Sequence, residues 1–478
     1  CLVKLLRLNC NKTRGCCCTI LRNVAQSSEN RLIMTAPALG LVPTTSRLMK
    51  EACVELNGGN GSDSGSGKSP VGVARTQSQS DSTNTTNTSM PVDIKCINNI
   101  LGMVSVLASN PNGRQYLASP QSGLVDACVS LMVAYDYILN PKTSTSNTKN
   151  SQSPSPTKLA KKNTQVWKTD ESDTVSVAPQ TIEEESLDFA CATLCLLAGT
   201  HLNYRELVTH KPSLIQLLVG ILHRPQLAPK NNAILTLVNI SHLIDDTPTL
   251  DILLSDELDI IGGITRVFID NNERNLVSVC ELIKNLVGLE PTLKSKFTNP
   301  NGKFLKIFSK CMNSYECDSG AMEGLITVLW HLASDPINEV RFGSEDVGVL
   351  IPLVQCLGQS KIMNTKMAAC AGISCIACAS ENEEILASED VGLVKVLLVL
   401  MRNEKNVDLR AGACSILSNL ALSPFNKVHF GDPSASMVVQ TLIVVMLEDF
   451  GDARTHASAA IKSLTVSPIN KPRMIKSE

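Results

Sequence analysis

One ten-residue phrase returns along the chain, and its spacing restricts the fold more than any other property of the sequence. It reads apolar, any residue, polar or small, apolar, small, and then, five positions on, Asn. Clear copies are "LRNVAQSSEN" ending at Asn30, "LWHLASDPIN" at Asn338, "ISCIACASEN" at Asn382, "LSNLALSPFN" at Asn426 and "IKSLTVSPIN" at Asn470; weaker ones are "VSVLASNPNG", "LCLLAGTHLN", "LVNISHLIDD" and "IKNLVGLEPT". With the third residue of each phrase as its anchor, the anchors are Asn23, Val106, Leu196, Asn239, Asn285, His331, Cys375, Asn419 and Ser463. The last seven stand 43 to 46 residues apart, while the first two gaps are 83 and 90. Self-similarity at such a period is the mark of a solenoid, in which each unit buries its apolar face only against its neighbours.

Composition explains the two long gaps. Residues 57–91 contain no aromatic, no Leu and no Ile, and residues 140–181 are dominated by Ser, Thr, Asn and Lys, so neither stretch can bury a helical face. With both set aside, the remainder divides into nine units of about 44 residues. The expected organisation is a first, truncated repeat over 1–56, an insertion over 57–91, a repeat over 92–139, a basic insertion over 140–181 and a continuous array over 182–478. Cys1 falls inside an apolar pattern with no initiator Met and no signal-peptide pattern, so the chain reads as part of a longer one. Seventeen residues past the anchor stand Gly40, Gly123, Gly302, Gly348 and Gly392, usually followed by an apolar run. A long amphipathic helix, an Asn-containing break, a short helix, a glycine turn and another helix fit this pattern. A generic helical bundle has no reason to keep three features in register.

The phrase with its Asn, the glycine turn and the period resemble the armadillo repeat family, to which beta-catenin and importin alpha belong, over about 400 residues. HEAT-type repeats, at about 40–47 residues, are the nearest alternative; the regular glycine and the "NVA/NLA" wording favour armadillo. The resemblance implies an all-α fold, a right-handed superhelix whose concave groove is lined by the anchor-bearing helix. It also implies a role for the anchors, because an Asn there hydrogen-bonds the backbone of an extended peptide in the groove. This sequence has Asn23, Asn239, Asn285 and Asn419 in that register, with His331 at the same place, and these five are the expected partner-binding residues. An Asn near a helix end can instead satisfy neighbouring backbone groups. Four residues before the anchor, where importin alpha carries tryptophans, stand Thr19, Gly102, Ala192, Leu235, Glu281, Thr327, Ala371, Ser415 and Ala459, which argues against nuclear-signal binding. The bases nine before the anchor, Arg14, Lys230, Arg410 and Arg454, point away from that face and read as solvated or as partners between repeats.

Other chemistries find little support. The formal net charge of -2 provides no field for a nucleic acid. The longest nearly apolar run, "MVVQTLIVVML", is well short of the roughly 18 residues a membrane span needs. The cysteines sit in apolar runs such as "AACAGISCIACA" and read as small buried hydrophobes in a reducing compartment. Cys375 and Cys378 have the C-x-x-C spacing, yet no second pair or His cluster accompanies them, so no metal is expected. The seven histidines form no catalytic motif, and "GSDSGSGKS" misses the phosphate-loop spacing by one residue. No cofactor and no catalysis are expected. The second insertion holds six lysines and no acid between Asn140 and Thr169, with Ser153 and Ser155 each followed by Pro, which suits proline-directed phosphorylation and a regulatory role; a plain solubilising loop is the alternative. The expectation is therefore a monomeric, non-catalytic scaffold, cytoplasmic with nuclear access, binding an extended protein segment. The alternatives are a nuclear-transport-like cargo carrier or the regulatory part of a larger enzyme such as a ubiquitin ligase.

Overall fold

A computed structural model describes residues 2–8, 10–58, 93–139, 181–199, 203, 207–208, 212–224, 230–299, 302–432 and 437–475. Contacts divide the chain into two bodies, one ending at Leu217 and the other beginning at Leu218. The division falls inside a helix. Both expected insertions, and with them Ser153 and Ser155, lie largely outside the described residues.

The first body contains α1 (Leu2–Leu6), α2 (Asn11–Val24), α3 (Ser28–Thr35), α4 (Leu41–Gly58), α5 (Ile94–Ala108), α6 (Pro111–Ala118), α7 (Leu124–Leu139) and α8 (Ile182–Ala198); α9 (Pro212–His223) crosses the division. The second begins with α10 (Lys230–Leu243), α11 (Thr247–Leu253), α12 (Ile260–Asp270), α13 (Glu273–Leu289), α14 (Leu293–Phe297), α15 (Phe304–Met312), α16 (Gly320–Ala333) and α17 (Pro336–Gly343). It continues with α18 (Leu350–Gln359), α19 (Met363–Ile376), α20 (Glu383–Ala387), α21 (Leu393–Asn403), α22 (Val407–Leu420), α23 (Pro424–Phe430), α24 (Val438–Glu448), α25 (Gly451–Thr465) and α26 (Asn470–Ile475). No strand occurs among the described residues. The fold is an all-α solenoid, and Val391 to Met401, an apolar run that could have been a strand, lies in α21 and the turn before it.

Packing follows the repeat. The anchor-bearing helices stack on their successors, α2 on α5 and α5 on α8 in the first body, and α10, α13, α16, α19, α22 and α25 in sequence in the second. A second layer pairs α4 with α7, α18 with α21 and α21 with α24, while the short helices pair α3 with α6 and α20 with α23. An inner anchor helix is therefore buried on two sides. In α22, Leu409, Ala413, Cys414, Ile416, Leu417 and Leu420 are all buried, a broader stripe than a surface helix needs.

Short-range chemistry starts and stops these elements. Asn110–Pro111, Asp335–Pro336 and Ser423–Pro424 each place a capping side chain just before a proline at the first helical position, and each cap accepts a backbone N–H two residues on. Gly40, Gly123, Gly348 and Gly392 have φ of 63 to 69°, the left-handed turn that a residue with a Cβ adopts only with strain. Gly302, the fifth glycine in that register, is not among the left-handed residues. In the unit anchored at Asn239, which lacks the glycine, Asp259 takes φ 45° and caps α12 by accepting from the Gly262 N–H.

The Asn that closes each phrase joins one unit to the next. Asn382 Nδ2 donates to Ile376 O at the end of its own anchor helix and to Glu339 O in the preceding short helix, both at 2.8 Å. Asn426 does the same with Leu420 O and Glu383 O, Asn470 with Leu464 O and Lys427 O, and Asn338 with Leu332 O and Lys294 O. All four asparagines are buried. Gly343 and Gly431 make room for them, since a Cβ at either would overlap the amide of Asn382 or Asn470.

Most of the described cysteines are packing residues, with Cys10, Cys16 and Cys378 exposed. Cys280 and Cys370, each five before an anchor, lie against Gly324 and Gly412 of the next unit, where an added Cβ would come within 3.2 and 2.5 Å of the sulfur. Burial pushes the Cys370 and Cys414 thiols up to about 12, the expected response of a thiol kept from water. The scarce aromatics are concentrated too: Phe268, Phe297, Phe304 and Phe308 form a cluster with ring centroids 5.0 to 5.9 Å apart.

Candidate functional site

The anchor side chains occupy one register on helices that stack directly, which makes the face they share the candidate binding surface. Asn23 on α2 is exposed. Asn239 on α10, Asn285 on α13, His331 on α16 and Asn419 on α22 are half-buried. Asn23 belongs to the first body and the other four to the second, so four of the five expected residues share one continuous stack.

These side chains also reach back across the seam between units. Asn285 Nδ2 donates to Ser241 Oγ at 3.1 Å and lies 3.4 Å from Val238 O, both on α10. Ser463 Oγ donates to Ala421 O at 2.7 Å, just beyond the preceding anchor helix. Asn419 Nδ2 stands 3.8 Å from Cys378 Sγ, a weak contact. The amide nitrogen of Asn285 is thus engaged by the neighbouring helix, because anchor helices pack closely enough for a short side chain to bridge them.

Trp330 was missed by the search for tryptophans four residues before the anchor, because it lies one before it. Its side chain is 38% exposed, and its ring stacks on His331 with centroids 5.0 Å apart and planes at 26°. Beside it, Lys284 and Glu281 on α13 form a 2.6 Å ion pair. Burial, then the charges of Lys284 and Lys294, hold His331 below its ordinary 6.5, so its ring is neutral at pH 7 and offers one donor and one acceptor. Toward the C-terminal end the same face carries Ala371, Ser374, Ser415 and Ser418. The surface thus combines amide, hydroxyl, imidazole and small side chains with the exposed Trp330 indole and the Lys284–Glu281 ion pair.

The bases nine before the anchor face elsewhere. Lys230 is fully buried and pairs with Asp270; Arg410 Nε donates to Asp449 Oδ2 at 3.0 Å; Arg454 stands over the Phe450 ring at 5.1 Å. Lys366, in the same register, lies 3.5 Å from Glu404. The three carboxylates lie at the end of the second-layer helix that closes each unit, so Lys230, Lys366 and Arg410 tie the start of a unit to its end. Arg14 and Arg454 have no carboxylate partner among the described residues.

Open clefts occur away from this face. One of about 380 Å³ is lined by Asn299, Leu305, Lys306, Ile337, Val340 and Arg341 among others, and none of its lining residues belongs to an anchor helix. Among the described residues, no group of three or more His, Cys, Asp or Glu is placed to hold a metal ion. Cys375 and Cys378 follow one another at the end of α19, and burial raises both thiols. No helix among the described residues is long and apolar enough to cross a membrane.

Neither protein-family models nor curated proteins match the sequence. Solved structures do. One, described as showing a conserved phosphorylation switch that controls the interaction between cadherin and beta-catenin, aligns over 98% of this chain and 71% of that one at a TM-score of 0.59 and 12% identity. Another, an engineered protein, covers 53% of this chain and 99% of that one at a TM-score of 0.44 and 14% identity. At such identities the likeness is one of fold: an armadillo-like α-solenoid.

Proposed function

We propose that this chain is an armadillo-repeat, non-catalytic scaffold that binds an extended protein segment across the face shared by its anchor helices. The observation that carries this reading is the stack of half-buried polar anchors, Asn239, Asn285, His331 and Asn419, on consecutive helices of one body. An extended strand has a backbone donor and acceptor on every residue, and a row of amides and a neutral imidazole at the spacing of stacked helices offers both kinds of partner. The fold likeness to a structure concerned with cadherin and beta-catenin supports a protein ligand. The near-zero net charge supports neither nucleic acid nor an anionic surface as the ligand, and a monomer in the cytoplasm or nucleus is the state in which such a scaffold would act. The 57–91 and 140–181 segments would then be linkers or regulatory loops, with Ser153 and Ser155 as phosphorylation sites.

The test is selection from a display library of unstructured 16-residue peptides, followed by titration of an enriched peptide against the whole chain. Asn419→Ala combined with His331→Ala should weaken it roughly thirtyfold, from about 1 kcal/mol for each lost hydrogen bond, with the melting curve unchanged. Equal affinity in the double variant, or competition confined to changes in the cleft at Ile337 and Val340, would refute the assignment of the anchor face.

A further inference from the structure

Arg14 lacks the partner that three other bases in its register have. Lys230, Lys366 and Arg410 each meet a carboxylate 38 to 40 residues on. Thirty-eight to forty residues beyond Arg14 stand Ala52, Cys53 and Val54, none of which can neutralise it. Arg14 is nevertheless only 5% exposed, and its Nε and Nη1 atoms are buried without any hydrogen-bond partner. A guanidinium in that condition is costly unless a counter-charge can form beside it.

Two thiols are close enough to supply one. Cys18, one turn beyond Arg14 on α2, and Cys96 at the start of α5 place their sulfurs 3.4 Å apart, and each is 1% exposed. The positive charge of Arg14 acts on both in the direction that favours thiolate. The contact with Cys18 is the chief cause that lowers Cys96, against burial and the charge of Asp93, while the same contact and then burial hold Cys18 protonated. At Cys356, which is close to Cys317, burial, the Cys317 contact and the Asp318 charge all oppose thiolate, and no cation acts on it as Arg14 does on Cys18 and Cys96.

We infer that Cys18 and Cys96 are a reversible oxidation site for a small hydroperoxide, closing a disulfide between the first two anchor helices with Arg14 as the buried counter-charge. The Cys96 thiolate attacks one peroxide oxygen: an S–O bond forms, the O–O bond breaks, and the departing hydroxide takes up the proton that Cys96 released. Cys18 sulfur then attacks the sulfenic sulfur, an S–S bond forms, and the S–O bond breaks with the Cys18 proton leaving in water. Two thiols are oxidised and one peroxide is reduced to two waters. The sulfurs must approach by about 1.4 Å to reach bonding distance. Hydrogen peroxide is little larger than water, so a local opening of the helix pair is enough to admit it. The bond would span residues 57–91 and fix α2 to α5 whatever those residues do.

The whole chain treated with hydrogen peroxide near pH 7, alkylated and digested with trypsin should yield the peptide Gly15–Arg22 joined to Cys96–Arg114, with a loss of two hydrogens that dithiothreitol reverses. Cys18→Ser should abolish the link and leave a Cys96 sulfenic acid that dimedone traps. Arg14→Met should slow closure by about tenfold or more. Arg14→Lys, which keeps the charge, should retain most of the rate, and it distinguishes a lost charge from a misfolded first unit. The inference is overturned if exposed Cys10 or Cys16 oxidises while Cys18 and Cys96 stay reduced, if Cys96 links to Cys17 instead, or if Arg14→Met leaves the rate unchanged in a folded protein.

Discussion

Replacing Asn426 by Ala tests how successive units are held together. The side chain is 1% exposed, and its Nδ2 donates to Glu383 O at 2.8 Å and to Leu420 O at 3.0 Å. Each bond contributes about 1 kcal/mol net, and a buried carbonyl left without its donor costs about 1–3 kcal/mol. Because both acceptors sit near helix ends where some relaxation is available, the expected loss is about 2–4 kcal/mol. In a solenoid, stability is a sum of unit terms and nearest-neighbour couplings, so this loss falls on one coupling, between the units anchored at Cys375 and Asn419. Urea unfolding should show an earlier or less cooperative transition, and native-state hydrogen exchange should accelerate in α20 and α23 before α10 or α13 responds. Asn364→Ala, at an exposed position on α19, is the control and should lose nothing. A loss below about 0.5 kcal/mol, or faster exchange spread evenly over every helix, would show that the buried amide does not join the units.

Gly343→Ala and Gly431→Ala should each destabilise by about 1–3 kcal/mol by evicting the amides of Asn382 and Asn470, and combining Gly431→Ala with Asn470→Ala should recover part of that loss in thermal melts. Glu404 accepts backbone N–H bonds from Asn406 and Lys405 and lies near Lys366, and the Asn406 bond first of all holds its carboxyl below the usual 4.5. Its stabilising contribution is therefore present above pH 4.5 and lost as pH falls through the lower folded value, so Glu404→Gln should flatten the acid limb of a stability profile; an unchanged limb would contradict this. His331, held below 6.5 chiefly by burial, should show an NMR titration midpoint below that value. The corresponding stability is lost as pH drops from 6.5 toward the midpoint, and a midpoint above 6.5 would refute the burial argument.

The period of about 44 residues made the order of helices legible, because an apolar phrase in fixed register can satisfy only one stacking arrangement. The glycine turns were legible for the same reason, and four of the five are left-handed. The closing Asn was recognised as a recurring letter, yet its work was not, since one of its two acceptors lies 43 residues away in sequence and only packing brings it near. The reverse held for the anchor Asn: the register placed it on a shared face, but nothing in the sequence indicated that Asn285 would reach Ser241. Trp330 escaped because the pattern tested one helical position and the indole occupies another. Most cysteines among the described residues are buried as small hydrophobes, though Cys10, Cys16 and Cys378 are exposed, and the fit of Cys280 and Cys370 against Gly324 and Gly412 depends on which unit-to-unit faces meet.

The buried Asn ties have a mechanical meaning. Asn382, Asn426 and Asn470 each bridge the end of one anchor helix to the short helix before it, so tension along the second body reaches these ties in series, like successive links of a chain under load. Each tie guards one unit of about 44 residues. Release of one lets out about 150 Å of contour at roughly 3.4 Å per residue, which gives the array a built-in step length for yielding under force.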